Sequence, residues 1–127
     1  MATPVRVLLV DEDDDVLAVT REFLEHENDG FEVETATSAA DALDRLDTQQ
    51  FDAVVTDYRM PRTDGLTLAG EIRDRHPDVP VVLFTAHQDE AFEREIEAID
   101  LTSYVAKRTG TDQYDELAAT IRESLAD

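Results

Sequence analysis

Cysteine is absent from the 127-residue sequence, which excludes disulfide staples, thiolate metal sites and catalysis by a thiol. No apolar run approaches the ~20 residues that a membrane-spanning helix needs. Met1 to Pro4 lacks the basic start and apolar stretch of a signal peptide. The expectation is a cytoplasmic protein with no membrane partner. Lysine occurs once, as Lys107, beside ten arginines, and these 11 basic residues face 31 acidic ones for a formal net charge of −20. Binding nucleic acid or an anionic membrane requires basic groups that displace counterions, so no direct nucleic-acid binding is expected. An acid-rich, lysine-poor surface suits a halophilic cytoplasm, where the Debye length falls to ~3 Å at 1 M salt and self-repulsion is screened.

Hydrophobic residues make up 42% of the chain, enough for a packed interior, and the length suits one domain spanning 1–127. No repeat, low-complexity tract or linker interrupts it. Val5 to Val10 is nearly continuous apolar sequence, as a strand covered on both faces should be. Phe31 to Ala36 alternates like a more exposed strand. Ala53 to Thr56 and Val79 to Phe84 are short, apolar and rich in valine, and Ser103 to Ala106 is a weaker fifth candidate. Between them lie helical stripes: Val16, Thr20, Phe23, Leu24 and Glu27; Ala39, Ala42, Leu43 and Leu46; Leu68, Ala69 and Ile72; Phe92, Ile96 and Ile99; and Tyr114, Leu117, Ala118, Ile121 and Leu125. Ser38 followed by Asp41 has the pattern of a capping box. Strands alternating with helices predict an α/β fold, a doubly wound five-stranded parallel sheet with five helices.

Ligands of such sheets bind at the carboxyl ends of the strands. Those ends carry Asp11 and Glu12, Asp57, Thr85 and Lys107. Clustered carboxylates repel one another and call for a cation. An all-oxygen donor set favours Mg²⁺, which keeps several waters and is often completed by phosphate. An ammonium and a hydroxyl nearby can hold anionic oxygens, and a carboxylate can be the nucleophile. Together these parts describe phosphoryl transfer.

Leu9-Val10-Asp11-Glu12, Asp57-Tyr58-Arg59-Met60-Pro61 with Asp64-Gly65, Phe84-Thr85-Ala86 and Tyr104-Val105-Ala106-Lys107 resemble, in order, the motifs of response-regulator receiver domains from Val5 to Leu125. The resemblance implies a flavodoxin-like sheet of order 2-1-3-4-5. It also implies a two-component phosphorelay in which Asp57 takes a phosphoryl group from a histidine kinase or phosphotransfer protein. Glu12, Asp57 and the Arg59 carbonyl would bind Mg²⁺ directly and Asp11 through water. Thr85 and Lys107 would hold the phosphoryl oxygens. Tyr104 would rotate as Thr85 moves, switching affinity for an output partner or fused domain. Arg59 and His87 stand where the family tunes dephosphorylation. No enzymatic activity is implied beyond self-catalysed phosphotransfer and hydrolysis.

The sequence departs from the family pattern in three places. Glu12 stands where Asp is commoner, and Asp100-Leu101 replaces Gly-Ala. Arg108 follows Lys107 where a cis proline is usual; a cis bond before a non-proline costs ~2.5–4 kcal/mol, so a trans bond and a rearranged loop are expected.

Other readings of the same residues remain open. Asp13, Asp14 and Asp15 suit a helix start, and His26 and His76 suit solvated helix positions. Asp11, Asp13, Asp15 and Glu22 fall at calcium-loop spacing, with Val16 where that loop needs glycine. Asp11 and Asp13 match the Asp-x-Asp of haloacid-dehalogenase-type phosphatases. The sequence reads equally well as the receiver module of a longer hybrid sensor kinase or regulator.

Overall fold

The computed structural model describes residues 4–27, 30–60, 62–86, 94, 104–108 and 110–125. The apolar run at the N-terminus becomes β1 (Val5–Val10), whose residues Val7 to Val10 are at most 2% exposed. Such burial requires cover on both faces and both edges. β2 (Phe31–Ala36) and β3 (Ala53–Thr56) flank β1 in parallel, and β4 (Val81–Thr85) and β5 (Tyr104–Ala106) extend the sheet outward. The order is β2-β1-β3-β4-β5. β4 starts at Val81 rather than Val79. Pro80 has no amide to give the ladder, though its carbonyl accepts from Val54 N at 3.0 Å.

The helices follow from capping and stripe. α1 (Asp14–Glu22) starts at Asp13, whose carboxylate accepts from the amides of Asp15 and Val16. The helix widens into a π-type turn over Phe23–Glu27. Its inward stripe is Leu17, Thr20 and Leu24, whereas Val16 and Phe23 are half-buried. α2 (Ala39–Thr48) is capped by Ser38, which accepts from Asp41 N at 3.1 Å. The Asp41 carboxylate lies 3.4 Å from Arg45; one methylene shorter than glutamate, it suits this pairing better than reaching back to close a capping box. α3 (Gly65–Arg75) is capped by Asp64, and α4 (Asp112–Ser124) closes the described chain. Leu125, expected on the inward stripe, lies past the end of α4 and is 37% exposed; Gln113 is buried instead. The stripe of Phe92, Ile96 and Ile99 and the pair Asp100-Leu101 lie outside the described residues.

Alternate side chains of β1 divide the core. Val7 and Leu9 join Leu17, Leu24, Leu117 and Ile121 under α1 and α4. Leu8 and Val10 join Leu43, Leu46, Leu68 and Ile72 under α2 and α3. Each fully buried leucine or isoleucine contributes ~2 kcal/mol, so the sheet is clamped from both sides while its carboxyl edge is left to loops. Arg6 of β1 ties the β2 side together, with Nη2 2.6 Å from Glu34 Oε2 and Nη1 2.6 Å from Gln50 O. No helix among the described residues is long and apolar enough to cross a membrane.

Candidate functional site

Three strand ends deliver charged groups to one place. Asp11 continues the β1 ladder through its amide, bonded to Ala36 O at 3.1 Å, and is 5% exposed. Its Oδ1 accepts from Asp13 N at 2.9 Å, which fixes the carboxylate where the chain turns into α1. Asp57 continues β3 in the same way, its amide 3.0 Å from Val10 O. Its Oδ1 accepts from Tyr58 N at 2.8 Å. Lys107 follows β5, its amide 2.9 Å from Thr85 O. The Lys107 ammonium lies 2.7 Å from Asp11 Oδ2 and 3.5 Å from Asp57 Oδ2, and 5.5 Å from the centroid of the Phe84 ring. One cation thus stands between two largely desolvated carboxylates, which would otherwise repel each other.

Other expected residues stand around this trio. Thr85 ends β4 and is fully buried. Glu12 and Arg59 are exposed at the rim, and Tyr104, opening β5 opposite Leu83, is 38% exposed. His87 and Pro61 lie outside the described residues. Among the described residues no three His, Cys, Asp or Glu side chains are already grouped around a metal position. Asp11 and Asp57 do converge on one positive charge, and Glu12 adjoins Asp11. A hard divalent cation needs only one or two carboxylates with waters and a phosphate, so this oxygen-only pair fits Mg²⁺. It does not fit a calcium loop, because residues 14–22 are helix and Asp13 caps it.

The loop after β3 is shaped by close approach. Gly65 N donates to Tyr58 O at 2.6 Å, and the Asp57 carbonyl accepts from the Thr56 hydroxyl at 3.0 Å. A Cβ on Gly65 would sit 2.2 Å from that carbonyl oxygen, so only glycine lets α3 begin against the backbone of Asp57. Asp64 accepts from Thr67 N at 2.8 Å and starts the helix there.

The loop after Lys107 is held by a residue of α4 that the sequence pattern did not single out. Gln113, 7% exposed, accepts from Arg108 N at 3.0 Å and donates to Arg108 O at 2.5 Å and Gly110 O at 2.7 Å. No cis peptide bond occurs among the described residues, so Arg108 follows Lys107 through the expected trans bond. The signal was present: Gln113, Leu117 and Ile121 share one face of α4, a polar residue opening an apolar stripe. His76, expected in solvent, caps α3 and lies 3.0 Å from Asp47. A concavity of about 600 Å³ lies there among Asp47, Phe51, His76 and Pro77, at the opposite edge of the sheet from Asp11 and Asp57.

Residues 7–121 match the model of the response regulator receiver domain. Response regulator MprA of Mycobacterium sp. (strain KMS) is 40% identical over 91 residues, covering 72% of this chain and 38% of that protein. The protein-glutamate methylesterase/protein-glutamine glutaminase of Symbiobacterium thermophilum is 35% identical over 131 residues, covering 97% of this chain and 36% of that protein. The chain therefore spans little more than a third of the length of these relatives. Among solved structures, response regulator TrrA of Thermotoga maritima, in complex with Mg(2+)-BeF, superposes with a TM-score of 0.82 at 30% identity, covering 95% of this chain and 99% of that one.

Proposed function

This chain belongs to the response regulator receiver domain family, a signalling domain of two-component systems, and on that premise we propose that Asp57 is its phosphoacceptor. The observation that carries the proposal is the Lys107 ammonium held between Asp11 at 2.7 Å and Asp57 at 3.5 Å. A cation on a flexible stem beside a strand-end carboxylate can follow the charge that a phosphoryl group brings.

The donor is a phosphohistidine on a partner histidine kinase or phosphotransfer protein. An Asp57 carboxylate oxygen attacks phosphorus, the P–N bond to the histidine breaks, and the imidazole leaves with the electron pair. Lys107 shifts from Asp11 toward one phosphoryl oxygen, and the Thr85 hydroxyl donates to another. Asp11, Glu12, Asp57 and the Arg59 carbonyl are the groups that would hold Mg²⁺, as the likeness to TrrA in its Mg(2+)-BeF complex supports. When bound, the ion neutralises charge on the transferring group. Tyr104 rotates as Thr85 engages, altering the surface offered to an output partner or fused domain. Water then attacks phosphorus, releasing inorganic phosphate and restoring the carboxylate. Arg59 and, as the family resemblance implies, His87 tune this hydrolysis, so Arg59→Ala and His87→Ala each change the phosphoryl lifetime.

The chain works as one receiver unit over 1–127, alone or within a longer regulator or hybrid kinase. The net charge of −20 supports a salt-rich cytoplasm and argues against direct contact with nucleic acid. Incubation with acetyl phosphate and Mg²⁺ should add one phosphoryl group, mapped by mass spectrometry to Asp57 and lost in Asp57→Asn. A label on Asp11 would instead establish phosphatase-type chemistry and overturn the proposal.

A further inference from the structure

We infer that Gln113 is the positioning residue for Lys107, its side-chain amide replacing the strand ladder that ends at the lysine's own N–H. The inference rests on the role given to Lys107 above. β5 is only three residues long, and the last of its ladder bonds runs from Lys107 N to Thr85 O at 2.9 Å. Beyond it the backbone has no strand to pair with among the described residues. Both polar backbone groups of Arg108 go to Gln113, at 3.0 Å from the N–H and 2.5 Å to the carbonyl. Gly110, in the left-handed region with φ of 92°, turns its carbonyl onto the same amide at 2.7 Å. One buried group therefore pins the peptide that follows Lys107, fixing the direction in which its side chain leaves the backbone.

The residue type matters. A primary amide offers acceptor and donors together. Glutamate would keep the acceptor and press a carboxylate against two carbonyl oxygens, while methionine would keep the volume and lose every bond. Gln113 itself is anchored on the inward stripe of α4 beside Leu117, so the clamp is tied to the core. The Arg108–Glu116 ion pair also joins this loop to α4, but its side chains are 56% and 49% exposed and it adds little. The Lys107 ammonium sits at 3.5 Å from Asp57, so about 1 Å of drift decides whether it reaches a bound anion.

Because the chain has a single lysine, isotope-labelled lysine gives one side-chain NMR signal, and it reports Lys107 alone. In the wild-type chain that signal should be displaced from free lysine by the nearby Phe84 ring and the Asp11 carboxylate. Gln113→Met and Gln113→Glu should move it toward the free-lysine position with an unchanged far-UV circular dichroism spectrum. The rate of Asp57 labelling by acetyl phosphate should fall about tenfold or more, within the ~100-fold that an ångström of misplacement can cost. Glu116→Ala should change neither readout. A wild-type lysine signal and wild-type rate in a folded Gln113 variant would overturn the inference, as would an equal loss in Glu116→Ala. Should the wild-type chain itself acquire no label at Asp57, the phosphoacceptor proposal fails, and the lysine signal still decides whether Gln113 positions Lys107.

Discussion

Gly65→Ala tests the architecture of the site at its tightest point. The new Cβ would lie 2.2 Å from the Asp57 carbonyl oxygen, 3.0 Å from its carbon and 3.0 Å from Tyr58 Cα. All three are backbone atoms, so no rotamer change relieves them. The carbonyl is also held by the Thr56 hydroxyl at 3.0 Å, and an ordinary contact requires a retreat of about 1 Å. Overpacking of this kind costs ~1–3 kcal/mol. Alanine's better helix propensity returns at most ~1 kcal/mol at the first position of α3. The net loss of roughly 1–2 kcal/mol lowers Tm by about 4–8 °C for a domain of this size. Displacing the backbone of Asp57 by that distance should slow labelling by acetyl phosphate up to ~100-fold, far beyond what the small unfolded fraction explains. Gly70→Ala is the control: it lies inside α3, where an added methyl would meet nothing within 4 Å, and should raise Tm by a few degrees, the return of up to ~1 kcal/mol. Thermal melts and labelling rates are measured in one high-salt buffer. Equal Tm and equal labelling rate for Gly65→Ala and wild type would refute the reasoning.

Three further outcomes are expected. Lys107→Met removes the cation that competes for Asp11 and Asp57, so calorimetric Mg²⁺ affinity should rise while acetyl phosphate labelling slows; weaker Mg²⁺ binding would contradict the ion-pair geometry. Thr20 is 2% exposed and its hydroxyl has no hydrogen-bond partner among the described residues, so Thr20→Val should leave stability unchanged or raise it by about 1 kcal/mol in a denaturant titration; a clear loss would show that the hydroxyl is satisfied in solution. The unfolding midpoint should rise from low to multimolar KCl as the net charge of −20 is screened, and a constant midpoint would sink the salt-adaptation reading.

The sheet was legible because burial on both faces leaves a local trace. Val5 to Val10 could only be covered above and below, and alternate residues do enter the two core layers. Strand ends were legible for the same reason, since Asp11 and Asp57 interrupt apolar runs. Less could be read where the outcome depends on a partner distant in sequence or on the length of a side chain. Asp41 shows its choice of Arg45 over a capping box only in the length of its side chain, and nothing local distinguishes the His76 that meets Asp47 from a solvated one. Lys107 was expected to face a phosphoryl group; its bond to Asp11, across 96 positions, exists only once the fold has formed. Gln113 escaped notice because periodicity weighs apolar residues: its place at the head of the α4 stripe could be read, but its partners, backbone atoms of the preceding loop, could not.

The division of labour between arginine and lysine follows from the same geometry. Arg6, Arg21, Arg45, Arg75 and Arg108 all pair with carboxylates, with side chains 30–56% exposed. There a planar fork can engage several oxygens at once and remain partly hydrated. Lys107 is the more enclosed exception, 20% exposed between side chains exposed by 7% and 15%. A fork fixed on two carboxylates would lock that pair. A compact ammonium on a flexible four-carbon stem can hold both acids and still release one when a stronger anion arrives. On the proposed mechanism, a composition with arginine everywhere else keeps its one lysine where the charge has to move.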